Sequence, residues 1–254
     1  MKRLNKTLTI IIPTLNEEKR IPLLLSDLSK QTYKNFHIII VDASSKNNTL
    51  KKVREFKNKL SLSIIKSNQQ NVCYQRNLGA KHCSTEWLIF MDADIRIPKN
   101  FLKEIMMKTK QINAQIFSTH LSPDKESKYG KIFSTMSNIY FELFKNTKNP
   151  AAYESLTGFK TKIFKELKGY NEKTKWSEGR ELLKKAAKKN IKLKIYSQPK
   201  YVFSLRRLKS QGVINLLTNL SILISSEISQ KKLSAKKISS LYPMIGGKNE
   251  KSIF

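Results

Sequence analysis

Two aspartates separated by one residue, Asp92 and Asp94, are the residues of this sequence best suited to chemistry. They follow residues 87–91, an apolar run that predicts a buried strand. Paired carboxylates at such a strand end are costly unless a cation shares them, and their oxygens suit Mg²⁺ or Mn²⁺. That ion can bridge two phosphates of a nucleotide diphosphate and stabilise its departure. A D-x-D pattern alone also fits a solvated loop, so the prediction depends on the strand.

Other polar side chains follow the two preceding strands of the pattern. Asp42 comes after residues 36–41, where a carboxylate can accept hydrogen bonds from a base or from a ribose hydroxyl. Asn16 and Glu17 follow the first strand. All three also fit simple capping of the next helix, and the two roles are compatible.

Arg76 is the basic residue best placed to join these groups. It lies in a predicted helix at residues 72–81, where Gly79 and Ala80 allow close packing. A guanidinium there can reach either the carboxylates or a bound diphosphate. The alternative is one more surface arginine among 49 basic residues.

The elements that must position these residues alternate between strand and helix over the first hundred residues. Continuously apolar strands between helices indicate a mainly parallel sheet covered on both faces, and ligands of such sheets bind beyond the carboxyl ends of the strands. The region 115–155 is less regular apart from a helix at 132–144. Strands are predicted at residues 8–12, 36–41, 62–65, 87–91 and 191–196, and helices at 17–30, 49–59, 72–81, from 98–100, near 163–167 and at 178–189.

Composition sets outer bounds on the function. The chain has 254 residues, two cysteines and a formal net charge of +30. Two cysteines cannot build a disulfide framework, and neither a secretory signal nor a membrane-spanning segment is predicted, so a cytoplasmic location is expected. The charge favours anionic partners, but the preferred explanation is a lysine-rich composition that keeps the surface solvated. Nucleic-acid binding is not favoured, because no recognisable motif is present and the basic residues form no single stripe with aromatics.

Four short motifs occur in order along the chain: IIIPTLNEE at the start, VDASS after the second strand, RNLGA in the third helix and FMDAD at the aspartate pair. With these motifs the chain resembles the family 2 glycosyltransferases of GT-A fold. A weaker match continues through TGF at residues 157–159, the turn at 167–170 and residues 178–186. No motif alone is specific, but their order is.

The resemblance implies a role for each matching position. Two basic residues after the last strand would hold the diphosphate, and Asp92 and Asp94 would serve the metal, Mn²⁺ or Mg²⁺. A loop at Thr157 and Gly158, with Trp176, would face the acceptor. The implied nucleotide-sugar-binding residues are Pro13, Thr14, Asn16, Glu17, Asp42, Arg76, Asp92, Ala93, Asp94, Arg206 and Arg207.

The sequence departs from the family where the catalytic base is expected. Members place Glu-Asp at the start of the late helix, but here the aspartate position is Gly179. Glycine cannot take a proton, so Glu178 is the base, or Glu181 is, or the chain is not catalytic. Glu178 is preferred because it would lie at the helix N-terminus near the acceptor loop. Both glutamates also fit a helix start stabilised by the macrodipole.

The resulting expectation is a GT-A domain at residues 1–205 with a basic amphipathic C-terminal extension at 206–254. The expected reaction is metal-dependent, inverting transfer of a sugar from a UDP- or GDP-linked donor to a glycan or lipid-linked acceptor. Apolar residues at helical spacing between lysines in the extension allow peripheral association with an anionic membrane, at its inner face. The alternative function is a non-catalytic nucleotide-sugar-binding protein with a degenerate base motif.

Overall fold

The computed structural model describes residues 7–124, 128–174 and 178–203. Strands and helices alternate through the first half, as the apolar pattern predicts. The strands are β1 Leu8–Thr14, β2 Phe36–Asp42, β3 Leu62–Lys66, β4 Trp87–Met91, β5 Ile116–Pro123, β6 Leu156–Lys160 and β7 Leu193–Phe203. The helices are α1 Ile21–Ser29, α2 Thr49–Arg54, α3 Val72–Lys81, α4 Phe101–Gln111, α5 Lys128–Phe144, α6 Thr161–Glu166 and α7 Glu178–Lys188.

The strands form one sheet in the order β3-β2-β1-β4-β6-β5-β7. The pairs within β3-β2-β1-β4 are parallel, β5 and β7 are parallel, and β6 runs antiparallel to both of its neighbours. The sheet is therefore mainly parallel with helices around it, which confirms the predicted fold class. Because β6 is reversed, the loop that enters it lies at the edge where β4 ends: Met91 pairs with Leu156.

Alternate residues of β1 enter two separate cores, one on each face of the sheet. Ile10 and Ile12 pack with α1 and α4, while Ile11 packs with α3 and α7, and all three are fully buried. Burial on both faces explains why this strand is continuously apolar rather than alternating.

Helix α3 packs very closely on the sheet, as its small residues predict. A Cβ added at Gly79 would lie 2.5 Å from Ile11 Cγ2 and 3.1 Å from Val41 Cγ2. Only a residue without a side chain permits this approach, which brings the polar face of α3 to the strand ends.

The structure corrects the sequence prediction in the second half of the chain. β5 and β6 were not predicted, because their polar residues Ser118 and Thr119 and the glycine at 158 break the apolar run. Thr157 and Gly158 are consequently not in a loop: both are buried in β6, paired with Phe90 and Ile89. The expected loop at these positions is wrong, since the loop before β6 ends at Ser155, and the acceptor role of the two residues stays a prediction. The helix predicted from residue 17 begins at Ile21.

Gly158→Ala should destabilise the fold, because the added Cβ would lie 2.2 Å from Phe117 Cε1. Overpacking of a core costs about 1–3 kcal/mol, and we expect a loss in that range by urea unfolding. In a Phe117→Leu background the same change should cost less, since the ring edge is gone. Equal costs in the two backgrounds would contradict the assignment.

Two predicted features lie outside the described residues: Trp176, and the C-terminal extension from residue 206, which includes Arg206 and Arg207. The domain boundary at 205 therefore stays a prediction. Within the described residues, no helix combines the length and the apolar character that crossing a membrane requires.

Candidate active site

Arg76 lies at the centre of the candidate site and is only 3% exposed. Its Nη2 donates to Asp92 Oδ1 at 3.0 Å and to the backbone oxygen of Glu154 at 3.2 Å, and its Nη1 lies 3.8 Å from Glu178 Oε2. Burial lowers the pKa of Arg76, but Asp92 and the other acidic neighbours raise it by more, so the net shift is upward. The guanidinium therefore stays charged and joins β4, the loop before β6 and α7.

The turn before α7 fixes the position of α3. Asn77 Nδ2 donates to the Tyr170 backbone oxygen at 2.9 Å, and Asn77 Oδ1 accepts from Tyr170 N–H at 2.9 Å. Gly169 has a φ of +65°, and a Cβ there would lie 2.6 Å from Asn77 Oδ1. The Cζ atom of Arg76 lies 5.4 Å from the centroid of the Tyr170 ring, so a cation–π contact also holds the guanidinium.

Asp92 and Asp94 leave the end of β4 on the same edge of the sheet. The Asp92 side chain is 36% exposed although it pairs with a buried arginine, so part of its carboxylate faces outward. Its N–H donates to the Ser155 backbone oxygen at 2.9 Å, which ties it to the loop before β6. Burial raises the pKa of Tyr201, its hydrogen bond to Ser155 opposes that shift, and the negative charges of Asp92 and Asp94 add to it.

Asp42 lies at the end of β2 with its carboxylate used inside the chain. It is 1% exposed and accepts hydrogen bonds from Thr14 Oγ1 at 2.9 Å, Ser45 N–H at 2.9 Å and Ser45 Oγ at 2.5 Å. The capping alternative does not describe Asp42, because the next helix begins only at Thr49, after its N-cap residue Asn48. Contact of Asp42 with a base or ribose stays a prediction, and in this conformation the carboxylate instead shapes the loops after β1 and β2.

The other predicted nucleotide-binding residues line the loop after β1. Asn16 has a φ of 59°, donates its N–H to Ser45 Oγ and accepts Lys46 N–H, both at 2.9 Å. Pro13 is partly exposed at the end of β1, and the Glu17 backbone oxygen accepts from Ile21 N–H at the start of α1. The loops after β1 and β2 thus form one hydrogen-bonded unit beside the aspartate pair.

The two glutamates proposed as the base have different surroundings. Glu178 is 5% exposed, begins α7 and faces Arg76. Glu181 Oε2 accepts from Asn171 Nδ2 at 2.9 Å and from Thr174 Oγ1 at 3.2 Å. The Asn171 amide, the largest influence, lowers the pKa of Glu181, so this group anchors the turn before the helix. The geometry brings Glu178, and not Glu181, to the charged cluster.

Sequence reasoning missed a third carboxyl group in the cluster. Glu154 lies in the loop before β6, and its Oε1 accepts the Gly179 N–H at 3.1 Å. Burial raises the pKa of Glu154 well above its usual range, and the hydrogen-bonded Glu178 carboxyl raises it further. No local pattern marks Glu154, because its neighbours along the chain belong to an unpredicted loop.

An open cleft of about 580 Å³ includes Asp94 among its lining residues but not Arg76. Three basic side chains, Arg20, Arg96 and Lys200, line it together with Asp27 and Asp124. Arg96 and Asp27 form a two-bond ion pair at 2.5 and 2.7 Å, which fixes α1 against the segment after the aspartates. The cleft gives a ligand held at Asp94 space for further groups.

A family model decides the relationship of this chain to known proteins: the model described as glycosyl transferase family 2 matches residues 9–168. The chain belongs to glycosyl transferase family 2. The matched region includes β1 to β6, the aspartate pair and Arg76, and ends before α7. The family resemblance stated from the motifs is thereby confirmed.

Curated relatives match part of this chain. The poly(ribitol-phosphate) beta-N-acetylglucosaminyltransferase TarS of Staphylococcus aureus is 35% identical over 100 residues, 38% of this chain and 18% of that protein. The beta-1,3-glucosyltransferase WfgD of Escherichia coli is 28% identical over 139 residues, 54% of this chain and 55% of that protein. The matches thus span well under two thirds of these relatives.

Solved family structures share the fold over most of the chain. S. aureus TarS 1–349 with UDP-GlcNAc matches with a TM-score of 0.65 and 21% identity, over 92% of this chain and 70% of that one. The mannosyltransferase PcManGT of Pyrobaculum calidifontis, with GDP-Man and Mn²⁺, has a TM-score of 0.64 at 16% identity and covers 92% and 68%. These similarities confirm the GT-A architecture.

The residues of this family 2 chain fit a divalent cation held jointly with a diphosphate. Within the described ranges, no group of three or more His, Cys, Asp or Glu side chains is arranged to hold a metal ion. Mg²⁺ and ions like it commonly take one or two carboxylates and complete their shell with phosphate oxygens and water. Asp92 and Asp94 supply that number of carboxylates at one strand end.

Proposed function

We propose that this chain is a metal-dependent, inverting glycosyltransferase that uses a nucleotide-diphosphate sugar. The observation that carries the proposal is the pairing of partly exposed Asp92 with buried, permanently charged Arg76 at the edge where β4 ends. Asp92, a fixed cation and the carboxyl groups of Glu154 and Glu178 form one cluster, with Asp94 at the same strand end, and together they supply the groups that sugar transfer needs. Family membership and the shared fold support the same reading.

The donor would bind across the ends of β1, β2 and β4. The hydrogen-bonded loops at Asn16 and Ser45 offer backbone and amide groups to the nucleoside, and the predicted contacts of Pro13, Thr14, Glu17 and Asp42 belong to this part. Asp92 and Asp94 would hold Mn²⁺ or Mg²⁺, with Ala93 between them, and that ion would neutralise the departing diphosphate. Arg76 holds Asp92 in the orientation that this requires. Arg206 and Arg207 would add positive charge there.

The reaction would be a direct displacement at the anomeric carbon. The acceptor oxygen forms a bond to that carbon as the carbon–phosphate oxygen bond breaks, and the bonding electrons leave with the nucleoside diphosphate. A carboxylate of the cluster around Arg76 accepts the acceptor's proton, a task in which a positioned base contributes roughly 10²–10⁴-fold. Attack opposite the leaving group inverts the configuration.

The donor is UDP- or GDP-linked, and the acceptor is a glycan or a lipid-linked sugar. The support comes from relatives: TarS is solved with UDP-GlcNAc, PcManGT with GDP-Man, and WfgD is named for a diphosphoundecaprenol-linked acceptor. An acceptor at a membrane surface fits the expected peripheral association of the basic C-terminal extension with anionic lipid. The cleft at Asp94 is the proposed path by which the acceptor reaches the sugar.

The test is turnover of a donor panel by the full chain. Release of UDP or GDP from UDP-GlcNAc, UDP-Glc and GDP-Man would be followed with Mn²⁺ and with excess EDTA. Metal-dependent release, with or without an added acceptor, is the expected result. Tight nucleotide binding without any release would instead identify a non-catalytic binding protein, the alternative that Gly179 raises.

Glu178→Gln should lower turnover by roughly 100-fold, whereas Glu181→Gln should change it by only a few-fold. The first change removes a carboxylate beside Arg76, and the second alters the anchored turn at Asn171 and Thr174. The two variants are matched, since both lie in the first turn of α7. Steady-state rates at saturating donor compare them directly. A larger loss in Glu181→Gln would reverse the assignment.

A further inference from the structure

Glu154 lies beside Gly179, the position at which the family resemblance implies an aspartate. A Cβ added at Gly179 would lie 3.3 Å from Glu154 Cγ, 3.5 Å from its Oε1 and 3.7 Å from its Cδ. The same Oε1 accepts the Gly179 N–H at 3.1 Å. A carboxyl group therefore lies at the start of α7 where position 179 would otherwise project one, although it comes from another part of the chain.

We propose that Glu154 is the proton acceptor of this enzyme, taking the place of the aspartate absent at position 179, and that Glu178 positions it. This inference rests on the proposed function and names the atom group that performs its proton transfer. The sequence-based assignment of the base to Glu178 is refined accordingly: Glu178 belongs to the site but acts through its neighbour.

The exposure of the two glutamates decides which one can meet an acceptor. Glu178 is 5% exposed and its Oε2 faces the Arg76 guanidinium, so it is largely shielded from a ligand. Glu154 is partly exposed. It also precedes Ser155, whose backbone oxygen accepts the Asp92 N–H at 2.9 Å, so Glu154 lies at the edge where the diphosphate would be held.

The surroundings give Glu154 the basicity that the task needs. Burial raises its pKa, the hydrogen bond and charge of Glu178 raise it further, and Arg76 and the Gly179 N–H oppose the shift. Because the Glu178 carboxyl is in hydrogen-bonding contact with Glu154, it can hold the protonated form of Glu154 in place. The remaining titratable groups facing the pair are Cys73, whose pKa burial raises to about 12, and Tyr170, whose pKa burial also raises, so both stay neutral.

The proposed step is balanced without a further reactant. The acceptor O–H proton passes to a Glu154 carboxylate oxygen as the acceptor oxygen bonds to the anomeric carbon. The bond from that carbon to the β-phosphate oxygen breaks, and its electron pair leaves with the nucleoside diphosphate. Glu178 hydrogen-bonds to the newly protonated Glu154, which then releases its proton to restore the carboxylate.

Glu154→Gln should lower the turnover number by at least about 100-fold and leave the donor KM within a few-fold. Glutamine keeps an oxygen to accept the Gly179 N–H, so the start of α7 is preserved. The probe is UDP release from UDP-GlcNAc, or GDP release from GDP-Man, with Mn²⁺ and with water as acceptor. Glu166→Gln, an exposed glutamate paired with Lys189, is the control and should match the wild type.

A position exchange tests the stated geometry. Glu154→Ala opens the space next to residue 179, and adding Gly179→Asp should recover at least about tenfold of the lost rate. Gly179→Asp alone should not raise activity, because its side chain would crowd Glu154 Cγ. An exchange variant no faster than Glu154→Ala would overturn the claim that both positions serve one proton acceptor.

Stability and pH profile separate proton transfer from a merely structural role. The folded pKa of Glu154 is above its unfolded value, so its ionisation opposes folding as pH rises through the raised pKa. Glu154→Gln should therefore be at least as stable as the wild type at pH 8, with the difference vanishing near pH 4. It should also lose the acidic limb of the kcat/KM profile, which in the wild type lies above the range of an ordinary glutamate.

The outcomes distinguish this inference from the proposed function. A wild type that binds nucleotide and metal but releases no product removes the proposed function itself. A wild type that turns over donor, beside a Glu154→Gln variant within threefold of it, overturns only the role of Glu154.

Discussion

Asp94→Asn is expected to reduce metal-dependent nucleotide release by roughly 10³-fold. Several kcal/mol of charge stabilisation depend on a metal held at the departing diphosphate, and each 1.4 kcal/mol corresponds to a factor of ten. Asparagine keeps the size of the side chain and one oxygen but removes the charge that the ion needs. Nucleotide release should be titrated with Mn²⁺, and the Mn²⁺-dependent thermal shift with UDP or GDP should weaken in parallel.

Asp124→Asn is the matched control, because this exposed aspartate lines the same cleft from the segment after β5. It should change the rate by only a few-fold, which separates ligation from the general charge of the cleft. If Asp94→Asn keeps wild-type activity and Mn²⁺ response, the metal assignment is wrong.

Arg76→Met should lower the free energy of unfolding by about 3–5 kcal/mol, the largest loss expected for any variant proposed. The substitution leaves Asp92, Glu154 and Glu178 close together without the cation that they share. The ionised carboxylates repel one another once the cation is gone, so the loss should be greater at pH 8 than at pH 5. Urea unfolding at the two pH values measures both effects.

Arg54→Met controls for the loss of one positive charge, since Arg54 is exposed on the last turn of α2. It should lie within about 0.5 kcal/mol of the wild type. Arg76→Lys is not expected to rescue the fold, because an ammonium group cannot reproduce the forked contacts. Equal stability of the two methionine variants would refute the central role of Arg76.

The first half of the fold could be predicted because its strands are buried on both faces. Residues 87–91 are continuously apolar, and the sequence predicts both ends of that strand correctly, as it does for α3. β5 and β6 could not be predicted, because they bury polar residues such as Ser118 and Thr157. The hydroxyl groups of these two residues donate hydrogen bonds to backbone oxygens at 2.8 and 2.7 Å. Such burial depends on partners distant in the chain, which no local pattern records.

The candidate site divides in the same way. Asp92, Asp94 and Arg76 could be identified because they follow or face predictable elements, and the structure brings Arg76 within 3.0 Å of Asp92. The choice between Glu178 and Glu181 could not be made, since both fit a helix start and only the turn at Asn171 distinguishes them. Glu154 was missed because its importance comes from contact with Gly179, 25 residues away in the chain.

The reversed direction of β6 has a consequence for how sequences of this kind are sorted. Reversal places the entrance of β6 and the start of α7 side by side, so two unrelated stretches of chain can furnish the same acidic group. A survey that scores activity from one short motif would file this chain among the inactive members. A survey that also considers spatial neighbours would include Glu154, the residue proposed as the proton acceptor.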